Sequence, residues 1–285
     1  MKVAVIGDPI RKERDLYLVE RIKKKFSECL YIPIDKIRFE IRKRMEVRFG
    51  SKKLNTFDFV FPIPTNKHKE NFYIILRMLS EPATPFTASQ YLLLVNGLAY
   101  DLLEKKGIYL RKSIVIASHT VLDKLSNEIK FPLIVKQKGR KVLVTNITTL
   151  KHVVSLFKPG TPIKLEFPLK SEKAIYGILI GEDIFFCGVR KKKVERKVEK
   201  KEKKEVEEIA SKIKNTLDLD YFSFKLLKCG NFVLDWISLS PNFKALEKFT
   251  RRKICEKIAN FIQKKVEASF FRIKISNLLK GLLKK

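Results

Sequence analysis

The chain has 285 residues, and the 45% that are hydrophobic supply enough apolar material for one large or roughly two to three small domains. Its 61 lysines and arginines outnumber 31 aspartates and glutamates, which gives a formal net charge of +30 at pH 7. This composition excludes a disordered basic tail. The excess of positive charge predicts attraction to polyanions, which include nucleic acid, nucleotides, acidic proteins and anionic membranes.

A second feature of the composition offers another explanation for the high charge density. Glutamine is rare, whereas lysine, glutamate and isoleucine are frequent, as is typical of proteins from thermophilic organisms. Habitat accounts for the density of surface charge but not for its imbalance of sign. Contact with a polyanion therefore stays a hypothesis of function.

Cysteine and histidine usage gives no metal or disulfide signature. The four cysteines contain no C-x-x-C pair and the three histidines stand alone, so neither a disulfide framework nor a metal site on these residues is predicted. The apolar run at the N-terminus is too short for a signal peptide, and no window approaches the ~20 apolar residues of a membrane span. We expect a cytoplasmic protein without a transmembrane segment, and the sequence predicts nothing about its oligomeric state.

Residues 1–84 are predicted to form a small α/β domain with a mostly parallel sheet. A buried strand, a turn at Gly7 and a helix make the start of a βαβ unit. Pro82 and Pro85 then bracket a stiff connector that marks a domain boundary. The predicted elements are strands at 2–6, 30–34 and 57–63, a hairpin at 47–51 and a helix at 14–26.

The rest of the chain divides into a second domain at 85–162, a third at 163–265 and a basic amphipathic tail at 266–285. The second domain has a helix at 88–106 that Gly107 terminates, and the strand FPLIVK at 131–136 with a hairpin partner at 142–145. Other predicted elements are a strand at 113–117 and short helices at 120–130 and 150–157. In the third domain they are strands at 163–167, 175–180, 184–189, 222–227 and 232–237, and helices at 206–217 and 245–266.

A dense run of charge lies between the third domain's strands. Residues 190–208 hold ten basic residues and six glutamates. A solvated surface is the ordinary explanation of such a run, but its excess positive charge also makes it a candidate phosphate contact. The polyanion contacts predicted here are Arg190, Lys191, Lys192, Lys193, Arg196 and Lys197. The tail either binds a membrane surface or partner groove, or packs on its own domain.

The order of these elements resembles the ATP-grasp superfamily, specifically the RimK-like group of glutamate ligases. The resemblance covers residues 2 to about 266 and depends on four segments: FDFVFPI at 57–63, LLEKKGI at 102–108, FPLIVK at 131–136 and FVLDWISLSP at 232–241. It implies an α/β fold of the α+β ATP-grasp type. In such a fold, the parallel domain precedes two ATP-grasp subdomains built on antiparallel sheets.

The resemblance also implies a chemistry. Enzymes of this group join a carboxylate to an amine through an acyl phosphate, and hold ATP between two antiparallel sheets with lysines on the phosphates. Acidic residues and an asparagine bind two Mg²⁺ ions, which neutralise charge on the transferred phosphoryl group. The residues that match the nucleotide site are Lys136 at the end of its strand, Glu166 and Phe167 at the hinge that reads adenine, and Arg140 and Lys141 in the loop over the phosphates.

The metal site departs from the family pattern. An earlier phosphate lysine falls at Asn96, one metal acid falls near Phe224, and the final Glu-x-Asn falls on Trp236 and Ser238. Asp235 is the candidate metal ligand, but it is one residue off, and strand alternation would point it to the opposite face. A local β-bulge would bring it back, and Asn242 or Glu182 are alternative ligands.

Three functions follow. The first is an ATP-grasp-fold protein with an eroded ATP and Mg²⁺ site, a pseudoenzyme that binds a nucleotide or other polyanion or has a regulatory role. An alternative is an active ATP-dependent carboxylate–amine ligase that adds glutamate with relocated metal ligands. Another is an RNA- or DNA-binding protein that uses its basic face. A cleft filled by Trp236 and Phe224 would exclude ATP.

Overall fold

A computed structural model describes the chain except residues 42–44, 80–82, 117–120, 126–128, 138–139, 159–160, 191–192, 196–197 and 283–285. Within 272–282 it describes the backbone alone. Mixed α/β structure runs through all of the described part.

The amino-terminal part is built on a three-stranded parallel sheet of order β2-β1-β6. The central strand has no exposed side chains between Val3 and Ile6, as expected for a parallel strand covered on both faces. The prediction of a mostly parallel sheet is confirmed. The elements are β1 (Lys2–Gly7), α1 (Lys12–Ile22), β2 (Glu28–Pro33), β6 (Phe59–Pro62) and α2 (Lys69–Met78), with an antiparallel sheet of β3 (Ile37–Ile41), β4 (Met45–Phe49) and β5 (Lys52–Lys53).

The central part is a four-stranded antiparallel sheet of order β7-β10-β8-β9 with its own hydrophobic core. Its members are β7 (Ser113–Ile116), β8 (Leu133–Gln137), β9 (Arg140–Val144) and β10 (Ile163–Glu166), together with α5 (Leu122–Leu125) and α6 (Ile147–Ser155). Because β10 pairs with β7 and β8, the boundary predicted at 162 separates this strand from its partners. The chain leaves this sheet after Glu166.

The third part is a five-stranded sheet of order β13-β12-β11-β14-β15. It comprises β11 (Lys173–Ile180), β12 (Asp183–Arg190), β13 (Lys193–Glu195), β14 (Tyr221–Cys229) and β15 (Asn231–Ser238), and α7 (Lys200–Leu217) precedes β14. Its core is continuous with that of the parallel sheet, since the rings of Phe61 and Tyr221 pack edge to face with centroids 5.2 Å apart. The first and third parts therefore share one core.

Two predicted helices are each divided in two. The helix at 88–106 becomes α3 (Ala88–Val95) and α4 (Leu98–Lys105), separated at Gly97, whose φ is +77°. The helix at 245–266 becomes α8 (Phe243–Thr250) and α9 (Ile254–Leu282), separated at Arg251 with φ +55°. A left-handed residue ends a helix without disturbing apolar spacing on either side, so periodicity did not predict these breaks.

The predicted tail at 266–285 continues α9 without a break as far as Leu282. The side chains that define its apolar stripe, apart from Phe271, lie outside the described residues, so its amphipathic role stays a prediction. In the described part of the chain, no helix combines the length and apolar character needed to cross a membrane.

Candidate functional site

A β-bulge places Asp235 differently from strict strand alternation. In the β14–β15 ladder, Lys225 lies opposite Trp236 and Leu226 lies opposite Leu234, so Asp235 is the extra residue. Its Oδ2 accepts a 2.8 Å hydrogen bond from the Nζ of Lys225, the residue paired with Trp236. Of the two alternatives, strict alternation and a local β-bulge, the ladder has the bulge, which places the Asp235 side chain within reach of Lys225.

The carboxylate of Asp235 is held by two cations. Arg111 donates a 2.7 Å hydrogen bond from Nη1 to Oδ1, while Lys225 binds the other oxygen. Burial alone would raise the pKa of Asp235, but the hydrogen bonds from Lys225 and Arg111 outweigh it and hold the pKa below its usual value. A metal ion at Asp235 would have to displace these two side chains.

Arg111 links Asp235 to the second buried carboxylate. Its Nη1 lies 3.3 Å from Oε2 of Glu166, and its Nε donates to the backbone oxygen of Phe167. The segment around it runs along the edge of β15, where Leu234 N donates to Tyr109 O at 2.8 Å. Because this segment is irregular, sequence periodicity gave no signal that Arg111 belongs to the site.

Glu166 connects this arginine to the central sheet. Its Oε2 lies 2.6 Å from Lys136 Nζ, and its Oε1 lies 3.2 Å from Lys164 Nζ. Burial opposes ionisation, but the two lysines hold the pKa of Glu166 below its usual value. We call the following residues the cleft ion cluster: Arg111, Lys136, Lys164, Glu166, Lys225 and Asp235.

A row of lysines crosses the face of the central sheet that carries Glu166. Lys164, Lys136 and Lys141 lie directly opposite one another on three adjacent strands. Like charges in cross-strand positions destabilise a sheet, and Glu166 offsets the repulsion only for the first two. In the described part of the chain, no ion pair is recorded for Lys141. This row is therefore a positively charged surface in which Glu166 pairs with two of the three lysines.

A cavity of about 990 Å³ adjoins the cluster. Lys164, Phe167 and Asp235 line it, and the corner between α3 and α4 closes it at Asn96. Small-molecule sites typically measure about 300–1,000 Å³. Trp236 and Phe224 do not line this cavity, and they border a separate one together with Ser238.

Three of the five predicted nucleotide residues, Lys136, Glu166 and Phe167, are neighbours in this region. Lys141 lies opposite Lys136, whereas Arg140 sits at the hairpin end of β9 opposite Gln137. Sequence reasoning missed Arg111, Lys164 and Lys225. The spacing of Lys164 and Glu166 in β10, two residues apart on one face, was a usable signal for Lys164.

The positions that correspond to the family's metal ligands carry no carboxylate. Phe224 is fully buried, and a Cβ on the neighbouring Gly177 would lie 2.3 Å from its ring. Ser238 Oγ accepts from the backbone N of Ser240 at 3.1 Å. Over the residues described, no group of three or more His, Cys, Asp or Glu side chains converges.

The alternative ligands lie elsewhere. Glu182 is bonded to Lys214 near the β11–β12 turn. Asn242 caps α8, where its Oδ1 accepts from Ala245 N at 3.1 Å. Neither contacts Asp235.

The described start of the basic run lies in two paired strands, and its end lies in α7. Arg190 and Lys193 lie opposite each other in β12 and β13, and Arg190 Nε is 3.2 Å from Glu195. Glu195 and Glu202 also bind the buried Lys173. The other predicted polyanion contacts, Lys191, Lys192, Arg196 and Lys197, lie outside the described residues, so this prediction is not tested.

The arrangement of sheets is shared with solved structures. A RimK domain ATP-grasp protein from Sphaerobacter thermophilus superposes with a TM-score of 0.71 at 14% identity, covering 92% of this chain and 99% of its own. The protein has the ATP-grasp fold. The predicted fold class is thereby confirmed, and the resemblance to ATP-grasp proteins holds at the level of the fold.

Two further solved structures share this arrangement. The macrocyclase MdnC from Microcystis aeruginosa, solved with its precursor peptide MdnA, gives a TM-score of 0.68 at 11% identity, covering 93% of this chain and 100% of its own. The ligase PsnB, solved with a minimal precursor, Mg and ADP, gives 0.66 at 12%, covering 93% and 98%. No family model and no curated protein matches the sequence. The similarity therefore concerns the fold.

Proposed function

We propose that this ATP-grasp-fold protein binds a nucleotide or another phosphate-rich anion in its cleft through lysines and an arginine, without a bound pair of Mg²⁺ ions. The observation that supports this most is the row of Lys164, Lys136 and Lys141 on the face that carries Glu166, a row that starts at the cavity with Lys164. The cleft ion cluster holds four cations against two carboxylates, so it keeps positive charge after internal pairing.

The donor chemistry does not fit Mg²⁺. This ion needs near-octahedral oxygen ligands, usually one or two carboxylates with substrate phosphates. The positions that match the family's metal ligands carry Trp236 and Phe224, which line a separate cavity, and the carboxylate nearest this one, Asp235, binds Arg111 and Lys225. Side-chain cations take over the neutralisation of phosphate charge that the family assigns to metal, as lysine and arginine do at many phosphate sites.

Nucleotide is the favoured anion because the cleft has both charge and a base-sized apolar side. Phe167, Leu110 and Leu234 line the cavity next to Lys164. The structural neighbour PsnB was solved with ADP, which supports the same class of ligand here. We infer a binding or regulatory role. The ligase alternative requires ligands other than Asp235, Glu182 and Asn242 as they are placed here, and it predicts ADP release with an acidic amino acid and an amine acceptor.

Calorimetric titration of ATP in EDTA, with lysine variants, tests the proposal. Lys136→Gln and Lys164→Gln should each weaken binding by about tenfold, as expected for loss of a charge-assisted contact. Lys24→Gln is the control, because it removes the same charge from an exposed residue that is distant in sequence from Lys136 and Lys164. We expect its affinity to equal that of the wild type.

A second variant separates binding from misfolding. Glu166→Gln removes a carboxylate that competes for Lys136 and Lys164, so it should tighten ATP binding. Loss of structure cannot produce tighter binding. Unchanged ATP affinity in both lysine variants would contradict the proposal. So would weaker ATP binding by a Glu166→Gln variant that unfolds at the same urea concentration as the wild type.

A further inference from the structure

The first half of α9 packs on the body of the protein, where it contacts α1, α8 and β11. The buried apolar residues on this side of the helix are Ile254, Ile258, Ile262 and Val266. Among the residues described, the last ion pair between α9 and another part of the chain joins Lys265 Nζ to Asp220 Oδ2 at 2.5 Å. Packing of α9 on the body is therefore recorded as far as Val266.

Beyond Val266 the backbone of α9 continues as one helix to Leu282. Phe270 lies one turn after Val266 and only about 40° further around the helix axis. Val266 is 3% exposed, whereas Phe270 is 57% exposed and Phe271 is 65% exposed. Within the described residues, the surface that covers the first half of α9 therefore ends in this turn.

The apolar residues of the second half lie on another side of the helix. Each residue advances an α-helix by about 100°, so Phe271 lies about 180° around the axis from the buried Ile262. Apolar residues then recur at the four- and three-residue spacings of one helix face. We call the following residues the distal stripe: Phe271, Ile275, Leu278 and Leu282. Because the helix is continuous, the distal stripe does not face the surface that covers Ile262, which argues against packing of the tail on its own domain.

Basic residues border the distal stripe on both sides. Arg272 and Lys274 fall about 100° and about 60° from Phe271, in opposite directions around the axis. Residues 266–285 hold five basic residues and one acidic residue, Glu267. Two copies packed stripe to stripe would bring these like charges together, which opposes self-association. The charge therefore indicates an anionic partner.

We propose that the second half of α9 binds an anionic lipid surface and lies in its interface, with the distal stripe toward the acyl chains. Phenylalanine and leucine on one side and basic residues on the other are typical of interfacial helices. Lysine and arginine at the borders reach lipid phosphates while their alkyl stems stay on apolar surface. This surface does not belong to the cleft ion cluster, so the inference goes beyond the nucleotide proposal.

The charge of the whole molecule favours a lipid surface over a groove on an acidic protein. The formal charge of +30 is not confined to α9, and a continuous anionic plane attracts all the basic residues that approach it. A protein groove would need acidic residues on both walls, matched to Arg272 and Lys274. A lipid surface supplies phosphates on both sides of the helix without such a match.

Co-sedimentation of the full chain with phosphatidylcholine vesicles, with and without phosphatidylserine, tests the inference. We expect binding at least about tenfold tighter to the anionic vesicles, because several basic residues are attracted to the same surface. A protein of charge +30 can also adsorb to these vesicles without inserting α9. Variants that leave the charge unchanged separate insertion from adsorption.

Phe271→Ser with Leu278→Ser removes two apolar side chains from the distal stripe. This double variant should bind the anionic vesicles about tenfold more weakly or worse, because it loses apolar burial among the acyl chains. Leu98→Ser with Leu156→Ser is the matched control, since these two leucines are 56% and 63% exposed in other parts of the chain. The control should bind as the wild type does.

Each other outcome would overturn the inference. Unchanged vesicle binding by the Phe271→Ser, Leu278→Ser variant would mean adsorption through charge alone. Unfolding of that variant at a lower urea concentration than the control would mean that the distal stripe packs on its own chain. No binding of the wild type to anionic vesicles would indicate a second copy of the chain if the variant dissociates a wild-type dimer, and an acidic protein groove if the wild type is monomeric.

Discussion

Asp15 shows how one buried residue makes stability depend on pH. Its side chain is fully buried, and its Oδ2 has no hydrogen-bond partner among the described residues. Burial raises the pKa of Asp15 from 3.8 to about 6, although Arg14 acts in the opposite direction. Because the folded-state pKa exceeds the unfolded value, its contribution to stability is present below pH 3.8 and is lost as the pH rises through 6.

We predict a pH-dependent difference between the wild type and Asp15→Asn. Between pH 4.5 and 7.5 the wild type should lose about 2 kcal/mol of unfolding free energy relative to the variant, from the shift in the pKa of Asp15. Urea unfolding of both proteins across this range measures the difference. Parallel pH profiles would show that Asp15 is not protonated more readily in the folded state.

Among the elements, the bulge in β15 brings charged residues of the second and third parts of the chain into contact. It is the one extra residue that lets Asp235 meet both Lys225 on its own sheet and Arg111 beside the central one. A regular ladder would turn the carboxylate toward the opposite face, as strand alternation predicts. The bulge therefore sets the position of the cleft ion cluster.

Asp235→Asn should destabilise the protein by about 2–4 kcal/mol, because it leaves two largely buried cations without their carboxylate. Asp101→Asn is the matched control: it breaks a pair with Lys105 in which both side chains are more than half exposed. That change should cost less than about 1 kcal/mol. Thermal or urea unfolding compares the two, and equal losses would mean that the pairs at Asp235 contribute nothing beyond a surface contact.

The sequence predicted the elements that have an apolar pattern, and it missed the features that depend on backbone geometry. Buried strands such as Phe59–Pro62 and Leu133–Gln137 have continuous apolar runs, and their positions were predicted to within a few residues. The bulge at Asp235 and the left-handed residue Arg251 carry no apolar signature. Both depend on backbone geometry that only the neighbouring strands and helices determine.

For the same reason, the sequence predicted only some residues of the candidate site. Lys136 ends a strand that has a clear pattern, and Glu166 and Phe167 follow another. Arg111 is brought in by a segment that lies along β15 in space but is more than a hundred residues away in sequence. A single sequence contains no information on that contact.

The whole molecule has the ATP-grasp fold, and the charged side chains in its cleft differ from the set that the family resemblance implies. Aromatic residues stand where metal ligands are expected, and lysines and an arginine gather around two buried carboxylates. The formal charge of +30 favours the approach of any polyanion, and the cleft ion cluster is the candidate site at which such an anion would bind. We propose that this cleft binds phosphate without a divalent metal.

Calorimetric titration of the wild-type protein with ATP, once in EDTA and once with excess Mg²⁺, tests this claim most directly. We predict dissociation constants that agree within about threefold, because side-chain cations neutralise the phosphates in both conditions. Binding that is about tenfold or more tighter with Mg²⁺, and that loses this gain in Asp235→Asn, would show instead that Asp235 holds a metal ion.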